Sequence, residues 1–213
     1  MTQKTAGQDL LENAYKLHTP DDNVAYYNAF APTYDDAFAA QLGWHTPKAI
    51  AEAYHRQKAG DVPIADIGCG TGYVAMELGV PRELIDGMDI STEMLSLAKQ
   101  KNLYRALYEV DLTASLDKIS NNYGAVLSAG TFTHGHLGPE PLRALLTIAR
   151  SGGLFIIGVN QAHFDQTKFS NLLDALVNEN KIRALKIERI NSYSNTDHDH
   201  SNDHAMLLQF RKI

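Results

Sequence analysis

The sequence predicts an α/β protein: a doubly wound, seven-stranded, mostly parallel sheet with an antiparallel last strand, preceded by a helical N-terminal cover. Three observations carry that expectation. The apolar run Ile64-Ala65-Asp66-Ile67 leads into Gly68-Cys69-Gly70-Thr71-Gly72 and then the helix-like Tyr73–Leu78, a strand, a glycine loop and a helix in succession. From Val62 onward, short apolar runs alternate with segments of helical spacing, the crossovers that parallel strands need. The last two apolar runs are joined only by a polar loop, so the final strand should run antiparallel to its neighbour.

In chain order, residues 1–7 read as a loose tail. From Gln8 to Phe38 apolar and aromatic residues recur at helical spacing, broken by Pro20 and Pro32. Thr19-Pro20-Asp21-Asp22 is a good helix start, with a cap, proline at the first helical position and acids in the first turn. Tyr26, Tyr27, Phe30 and Tyr34 give this segment an aromatic face. Another helix covers 47–57 and ends near Gly60. Strands are expected at 62–67, 84–89, 105–110, 124–129 and 153–159. Helices fall between them at 72–78, 91–101 and 139–149, with a short one near 114–119. Ser91 is placed as an N-cap with Glu93 in the first turn, and Pro139, Glu140 and Pro141 start the helix at 139–149. Ser151-Gly152-Gly153 turn the chain back into a strand. A helix at 166–179 follows, then strands at 181–191 and 204–212 across the polar loop 192–203. Residues 1–60 read as a helical cover belonging to the same domain as the 61–213 core.

A chain of 213 residues is long enough for one α/β domain with an ample core. Its net charge of −6, with no Lys/Arg stripe, offers no electrostatic hold on a phosphate backbone, so nucleic acid is not an expected partner. The single cysteine, Cys69, rules out an internal disulfide and fits a reducing compartment. Met1-Thr2-Gln3-Lys4-Thr5 lacks the apolar stretch of a signal peptide, and no apolar run is long enough to span a membrane. The expectation is a cytoplasmic protein with no membrane contact; its oligomeric state is not legible.

The glycine loop points to a nucleotide-like ligand, and the acids around it narrow the choice. A pyrophosphate at this loop would want backbone N–H groups and a helix N-terminus, not an adjacent carboxylate. Like charges a few Å apart cost on the order of 1–4 kcal/mol, depending on local dielectric. Asp66 therefore argues for a ligand that carries positive charge beside an adenosine, and S-adenosylmethionine, with an ammonium, a sulfonium and no phosphate, is such a molecule. Asp89 ends the next apolar run about 20 residues beyond the loop, where an acid can take ribose hydroxyls. Asp111 ends a third strand, where an acid can meet the adenine amino group or simply cap the turn before Thr113, and Leu112 offers the ring an apolar face.

At this point the chain resembles a known family. Asp66-Ile67-Gly68-Cys69-Gly70-Thr71-Gly72 with Asp89-Ile90-Ser91-Thr92-Glu93-Met94-Leu95 is similar to the class I S-adenosylmethionine-dependent methyltransferases. The resemblance continues through Tyr108–Leu112, Tyr123–Ser128, Leu142–Leu146 and Arg150–Ile157. Gly130-Thr131-Phe132-Thr133-His134-Gly135-His136-Leu137-Gly138-Pro139 also resembles a small subgroup, the Williams–Beuren-region methyltransferase-like proteins and their bacterial relatives. The resemblance implies a Rossmann-like strand order of 3-2-1-4-5-7-6. It also implies cofactor contacts from Tyr34, Asp66, Gly68, Cys69, Gly70, Gly72, Asp89, Ile90, Met94, Asp111, Leu112, Ala129 and Gly130.

Ala129, Gly130 and Thr131 end the fourth strand, at the switch-point region where donor and acceptor would meet. His134 and His136 follow as candidate general bases, because imidazole titrates near neutral pH. Methyl transfer often needs only alignment of the two reactants, so a base is not obligatory. Trp44 is expected to help close the side of Tyr34. The Asp/His-rich loop Asn195–His204 lacks an apolar frame, and no metal site is expected there. No Asn/Asp-Pro-Pro-Tyr-type segment follows the fourth strand, which argues against amino methylation of adenine or glutamine. The expected function is methyl transfer from S-adenosylmethionine to a small-molecule acceptor. A non-catalytic S-adenosylmethionine-binding regulatory protein stands as the alternative. A nucleotide-dependent oxidoreductase is disfavoured by Asp66 and by Tyr73, which takes the place of a third motif glycine.

Overall fold

Helices α1 (Ala6–Ala14), α2 (Pro20–Thr33) and α3 (Thr46–His55) precede the first strand of the computed structural model, which describes residues 6–17, 19–36, 42–57, 60–120, 122–195 and 197–213. Residues 1–5 of the expected tail and Phe38 lie outside the described residues, while residues 6–7 already belong to α1. The start of α2 follows from its sequence: Thr19 Oγ1 accepts the Asp22 N–H at 3.1 Å and Asp22 Oδ2 accepts the Thr19 N–H at 3.0 Å, a reciprocal capping box. The expected break at Pro32 does not occur. Proline sits one residue before the end of α2, where its missing N–H removes only one bond from the last turn.

Seven strands follow: β1 (Ile64–Ile67), β2 (Ile85–Asp89), β3 (Ala106–Glu109), β4 (Tyr123–Phe132), β5 (Ala149–Asn160), β6 (Ile182–Asn191) and β7 (His204–Lys212). They form one sheet in the order β3-β2-β1-β4-β5-β7-β6, as the family resemblance implied. Strand β7 runs antiparallel to both β5 and β6, while β1 to β5 pair in parallel. The Ser151-Gly152-Gly153 turn survives as an irregularity inside β5: Ala149 pairs with Tyr123, the chain loops out, and pairing resumes at Leu154 against Ala125.

Helices α4 (Tyr73–Leu78), α5 (Thr92–Gln100), α6 (Pro141–Ile148), α7 (Gln161–Gln166) and α8 (Phe169–Asn178) complete the layers. Two expected helices are corrected. Residues 114–119 form turns, because Asp111 and Ser115 side chains accept the backbone N–H of Thr113 and Asp117 and compete with helix formation. The helix expected at 166–179 is two helices: Asn160 caps α7 by accepting the His163 N–H at 3.1 Å, and Lys168, at φ +57°, breaks the run before α8.

Each face of the sheet carries a core. Ile50, Val74, Leu78 and Ala98 from α3, α4 and α5 pack on one side with Ile64, Ile85 and Leu127. Leu142, Leu145, Phe169 and Leu173 from α6 and α8 pack on the other with Phe132, Phe155 and Phe210. A smaller aromatic cluster, with Leu11, Phe30, Leu42 and Tyr193 at its centre, holds α1 and α2 over the C-terminal ends of the strands. No helix among the described residues is long and apolar enough to cross a membrane.

Candidate active site

The C-terminal ends of β1, β2, β3 and β4 open into one pocket of about 550 Å³, a size usual for a small-molecule or cofactor site. The glycine loop forms its floor. Gly68 has φ +62°, and a side chain there would collide with Thr131, whose hydroxyl is bonded to the Ile67 carbonyl at 3.0 Å. Gly70 faces open space, with nothing within 4 Å of where a Cβ would stand. Its N–H donates instead to Asp89 Oδ2 at 2.8 Å, and the Ser91 N–H donates to Asp89 Oδ1 at 2.9 Å. Both carboxylate oxygens are thus oriented by backbone and each keeps a lone pair for a ligand. Burial pushes the Asp89 carboxyl up from its ordinary value while these N–H bonds oppose the shift.

Around this floor the pocket gathers Tyr34, Cys69, Ile90, Met94, Asp111 and Leu112, then Ala129 and Gly130 from the end of β4. Asp111 Oδ1 accepts both the N–H and the hydroxyl of Thr113, at 2.8 and 2.7 Å, so it caps its own turn while lining the cavity. Three sequence-predicted residues lie elsewhere. Gly72, at φ +100°, shapes the turn behind the wall and is absent from the cavity lining; an added Cβ there would stand 3.1 Å from Leu103 and 3.3 Å from Tyr104. Asp66 lies fully buried and outside the pocket lining, accepting the Tyr104 hydroxyl at 2.7 Å on Oδ2, and its Oδ1 has no partner among the described residues. Burial pushes its carboxyl up to about 7; the Tyr104 bond opposes this and the Asp89 charge adds to it. His134 stands outside the cavity, between Tyr15 and His163, with Nε2 3.2 Å from Gln166 Oε1.

His136 does reach the pocket. Both of its ring nitrogens are closed off from solvent without a hydrogen-bond partner among the described residues. Burial lowers its pKa to about 4, and the Gly130 backbone opposes that shift without completing a bond, so the imidazole is neutral at pH 7. The pocket also uses residues that the motif reading passed over. Thr19, Asn23 and Tyr27 from the start and middle of α2, with Thr71, Tyr73 and Glu140, complete the wall. The aromatic face of α2 was the available signal for Tyr27.

The cover is bonded to the floor. Asn28 Oδ1 accepts the Ser91 hydroxyl at 2.6 Å, Asp35 Oδ1 accepts the Thr71 hydroxyl at 2.5 Å, and Lys101 pairs with Asp35 Oδ2 at 2.5 Å. Asp89, Asp111 and Glu140 bring negative charge to the lining, and no Lys or Arg is among its described residues. Such a site suits a cation and is hostile to a pyrophosphate. The residues present fit S-adenosylmethionine on three counts: oriented carboxylate lone pairs at Asp89, a clear approach over Gly70, and an unpartnered Asp66 oxygen beneath the loop. Among the described residues no group of three or more His, Cys, Asp or Glu is arranged to hold a metal ion.

The 3-2-1-4-5-7-6 sheet with an acid-lined glycine-loop pocket defines a class: α/β domains that bind an adenosine-bearing cation at the strand ends. Residues 64–153 match the family model described as a methyltransferase domain. The human methyltransferase-like protein 27 is 31% identical over 156 residues, covering 70% of this chain and 59% of that protein. A Campylobacter jejuni ubiquinone/menaquinone biosynthesis C-methyltransferase, UbiE, is 31% identical over 119 residues, 47% of this chain and 50% of its own length. The chain thus spans between half and three fifths of the curated relatives it matches. Among solved structures, a TehB-like S-adenosylmethionine-dependent methyltransferase from Corynebacterium glutamicum shares the fold at a TM-score of 0.59 and 18% identity, covering 89% of this chain and 99% of that one. The chain carries a methyltransferase domain over residues 64–153 and is similar in sequence and fold to class I S-adenosylmethionine-dependent methyltransferases, whose cofactor is S-adenosylmethionine.

Proposed function

We propose that this chain transfers a methyl group from S-adenosylmethionine to a small-molecule acceptor in the cytoplasm, with residues 1–60 forming the cover over the acceptor. The observation that carries this reading is the charge of the pocket, where Asp89, Asp111 and Glu140 face a glycine loop with no cation in the described lining. When bound, S-adenosylmethionine supplies an electrophilic methyl group on a positively charged sulfur. Asp89 accepts hydrogen bonds from ribose hydroxyls through its remaining lone pairs, and Asp111 accepts from the adenine amino group. Ile90, Met94 and Leu112 give the adenine apolar walls. Gly68, Cys69, Gly70 and Gly72 hold the loop backbone against the methionine portion. Asp66 contributes from beneath that loop, since a cation above it favours its ionised form. Tyr34, Ala129 and Gly130 border the methyl end, where alignment of the acceptor supplies most of the rate.

Titration calorimetry with S-adenosylhomocysteine tests the reading, and binding in the micromolar range is expected. No heat of binding at high micromolar concentration would sink it. Asp89→Ala removes hydrogen bonds to a charged group, each worth about 1.5–3 kcal/mol, and is expected to weaken binding at least about tenfold. An unchanged affinity rejects the ribose role.

A further inference from the structure

The sheet has two open edges, β3 and β6. Strand β3 is 4 residues long, whereas β6 runs 10 residues and pairs with β7 on one side only. Such an edge offers unpaired N–H and C=O groups to another strand unless charge, proline or a bulge blunts it. Strand β6 has no proline, and its bulge, at Ala184 with φ +55°, lies near its start; regular pairing with β7 resumes at Lys186. Side chains alternate between the two faces from there. Ile187 shares the face of Leu185, on the α6 and α8 side, while Lys186 and Glu188 share that of Ile190, on the α3 side. Five large apolar residues are exposed among the described ones, and three of them gather at this edge. Ile187 is 39% exposed; Val177, at the end of α8, and Ile213, whose N–H donates to the Lys181 carbonyl, sit by the start of the strand.

The charges on β6 alternate in sign. Lys186 and Glu188, with side chains 62% and 40% exposed, pair along the strand at 2.7 Å, and the Arg56 charge acts on Glu188 from α3. Arg189 turns its head to its own chain: Nε donates to Gln161 Oε1 at 2.9 Å, and a terminal nitrogen lies 3.1 Å from His204 Nδ1. Two copies of one strand edge related by a two-fold axis pair antiparallel, and the residue on the axis faces itself. An axis at Lys186, Glu188 or Arg189 would set like charges directly opposite each other. Nearer the start the axis falls in the bulge, and at Ile190 it leaves only Arg189–Asn191 of β6 to pair. With the axis at Ile187, Lys186 faces Glu188 of the second copy, twice over. Together with the pairs along each strand, the four charges then form a square of alternating sign. The two Ile187 side chains meet on the opposite face, and the bulge falls at the end of the pairing, opposite Ile190 of the second copy.

We propose that β6 docks a second copy of this chain, antiparallel about a two-fold axis at Ile187, joining two seven-stranded sheets into one. Charge complementarity between Lys186 and Glu188 sets the register, and the buried Ile187 pair seals one face of the joint. Strand β6 runs parallel to β1, since both β5 and β6 are antiparallel to β7. The two-fold axis therefore turns the two cofactor pockets to opposite ends of the joined sheet and leaves both uncovered. Association is independent of what the pocket binds.

Sedimentation velocity of the full chain, from about 5 to 500 μM at low salt, reads the association. The mass is expected to rise from the 23.5 kDa of one chain towards twice that, with half association between about 10 and 300 μM. A single-chain mass across that range overturns the proposal. Lys186→Glu and Glu188→Lys each leave four charges of one sign at the joint and are expected to weaken association at least about tenfold. The double variant Lys186→Glu/Glu188→Lys restores the alternation and is expected to associate at least about fivefold more tightly than either single variant. Single variants that associate like wild type, or a double variant no tighter than they are, overturn the register. Cross-linking tests the axis itself. In Ile187→Cys the two Cα atoms face each other at about 4.5–5.5 Å, within disulfide reach, whereas in Lys186→Cys they lie on a diagonal of about 7–8 Å. In oxidised glutathione, Ile187→Cys is expected to cross-link at least about tenfold faster than Lys186→Cys, and the native Cys69 is buried. Equal rates overturn the location, and this comparison stands even if the charge variants do not fold.

Discussion

Asp66 carries its charge in a place that resists it. Burial is the main cause of its pKa near 7, so between about pH 4 and 7 the folded chain holds a proton that the unfolded chain has released. Stability attributable to this residue therefore falls as pH rises through that window and levels off above it. Asp66→Asn keeps the shape and an acceptor for Tyr104 but cannot ionise. Relative to wild type it is expected to gain about 1–4 kcal/mol between pH 5 and pH 8 in urea unfolding, and any constant offset drops out of the comparison. A difference between the two proteins that does not change with pH defeats the assignment. Residue identity at strand ends was legible in the sequence: Asp89, Asp111 and the glycines are where an apolar run stops. The direction of Asp66 was not, because adjacency to a loop does not say which side of it a side chain enters. The same holds for the two histidines. Gly135 between them tucks its backbone against α1, where an added Cβ would meet the Ala14 carbonyl at 2.5 Å, and that packing sends His134 and His136 to different surroundings.

Helix α5 shows how an element and a site share one residue. Ser91 is fully buried, caps α5 by accepting the Met94 N–H at 3.1 Å, and donates to Asn28 Oδ1 of α2. Ser91→Ala removes a cap and strands a half-buried Asn28 acceptor; the expected loss is about 1–3 kcal/mol of unfolding free energy in urea. A loss below about 0.5 kcal/mol contradicts that role. The core strands fell close to their expected limits because buried parallel strands are uninterrupted apolar runs bounded by turns. Errors came where side chains bond their own backbone. Ser115 and Asp111 turned 114–119 away from helix, and the Asn160 cap started α7 before the expected helix. Pro32 misled in the opposite sense, since a proline in a last turn gives up one bond and no more.

At the scale of the whole molecule, spacing alone left the strand order open; it came from resemblance, because periodicity orders strands along the chain and not across a sheet. The pocket is assembled from α2, four strand ends and the loop before α6, so a ligand there ties the cover to the sheet. S-adenosylhomocysteine at a hundred times its dissociation constant is expected to stabilise the fold by about 2.7 kcal/mol, seen as a rise in melting temperature. NADH at the same concentration is expected to produce no rise, because its pyrophosphate meets carboxylates and no cation among the described lining residues. A shift from NADH that matches the homocysteine derivative counts against the cationic site. The bond from Asn28 to Ser91 has a bearing on how this protein can change over generations. If α2 covers the acceptor as proposed, it is free to diversify for new acceptors only where it does not hold the residue whose N–H aligns Asp89. On the proposed function, drift at Asn28 would be felt where Asp89 takes the ribose, so that one position of an otherwise adaptable cover inherits the constancy of the cofactor.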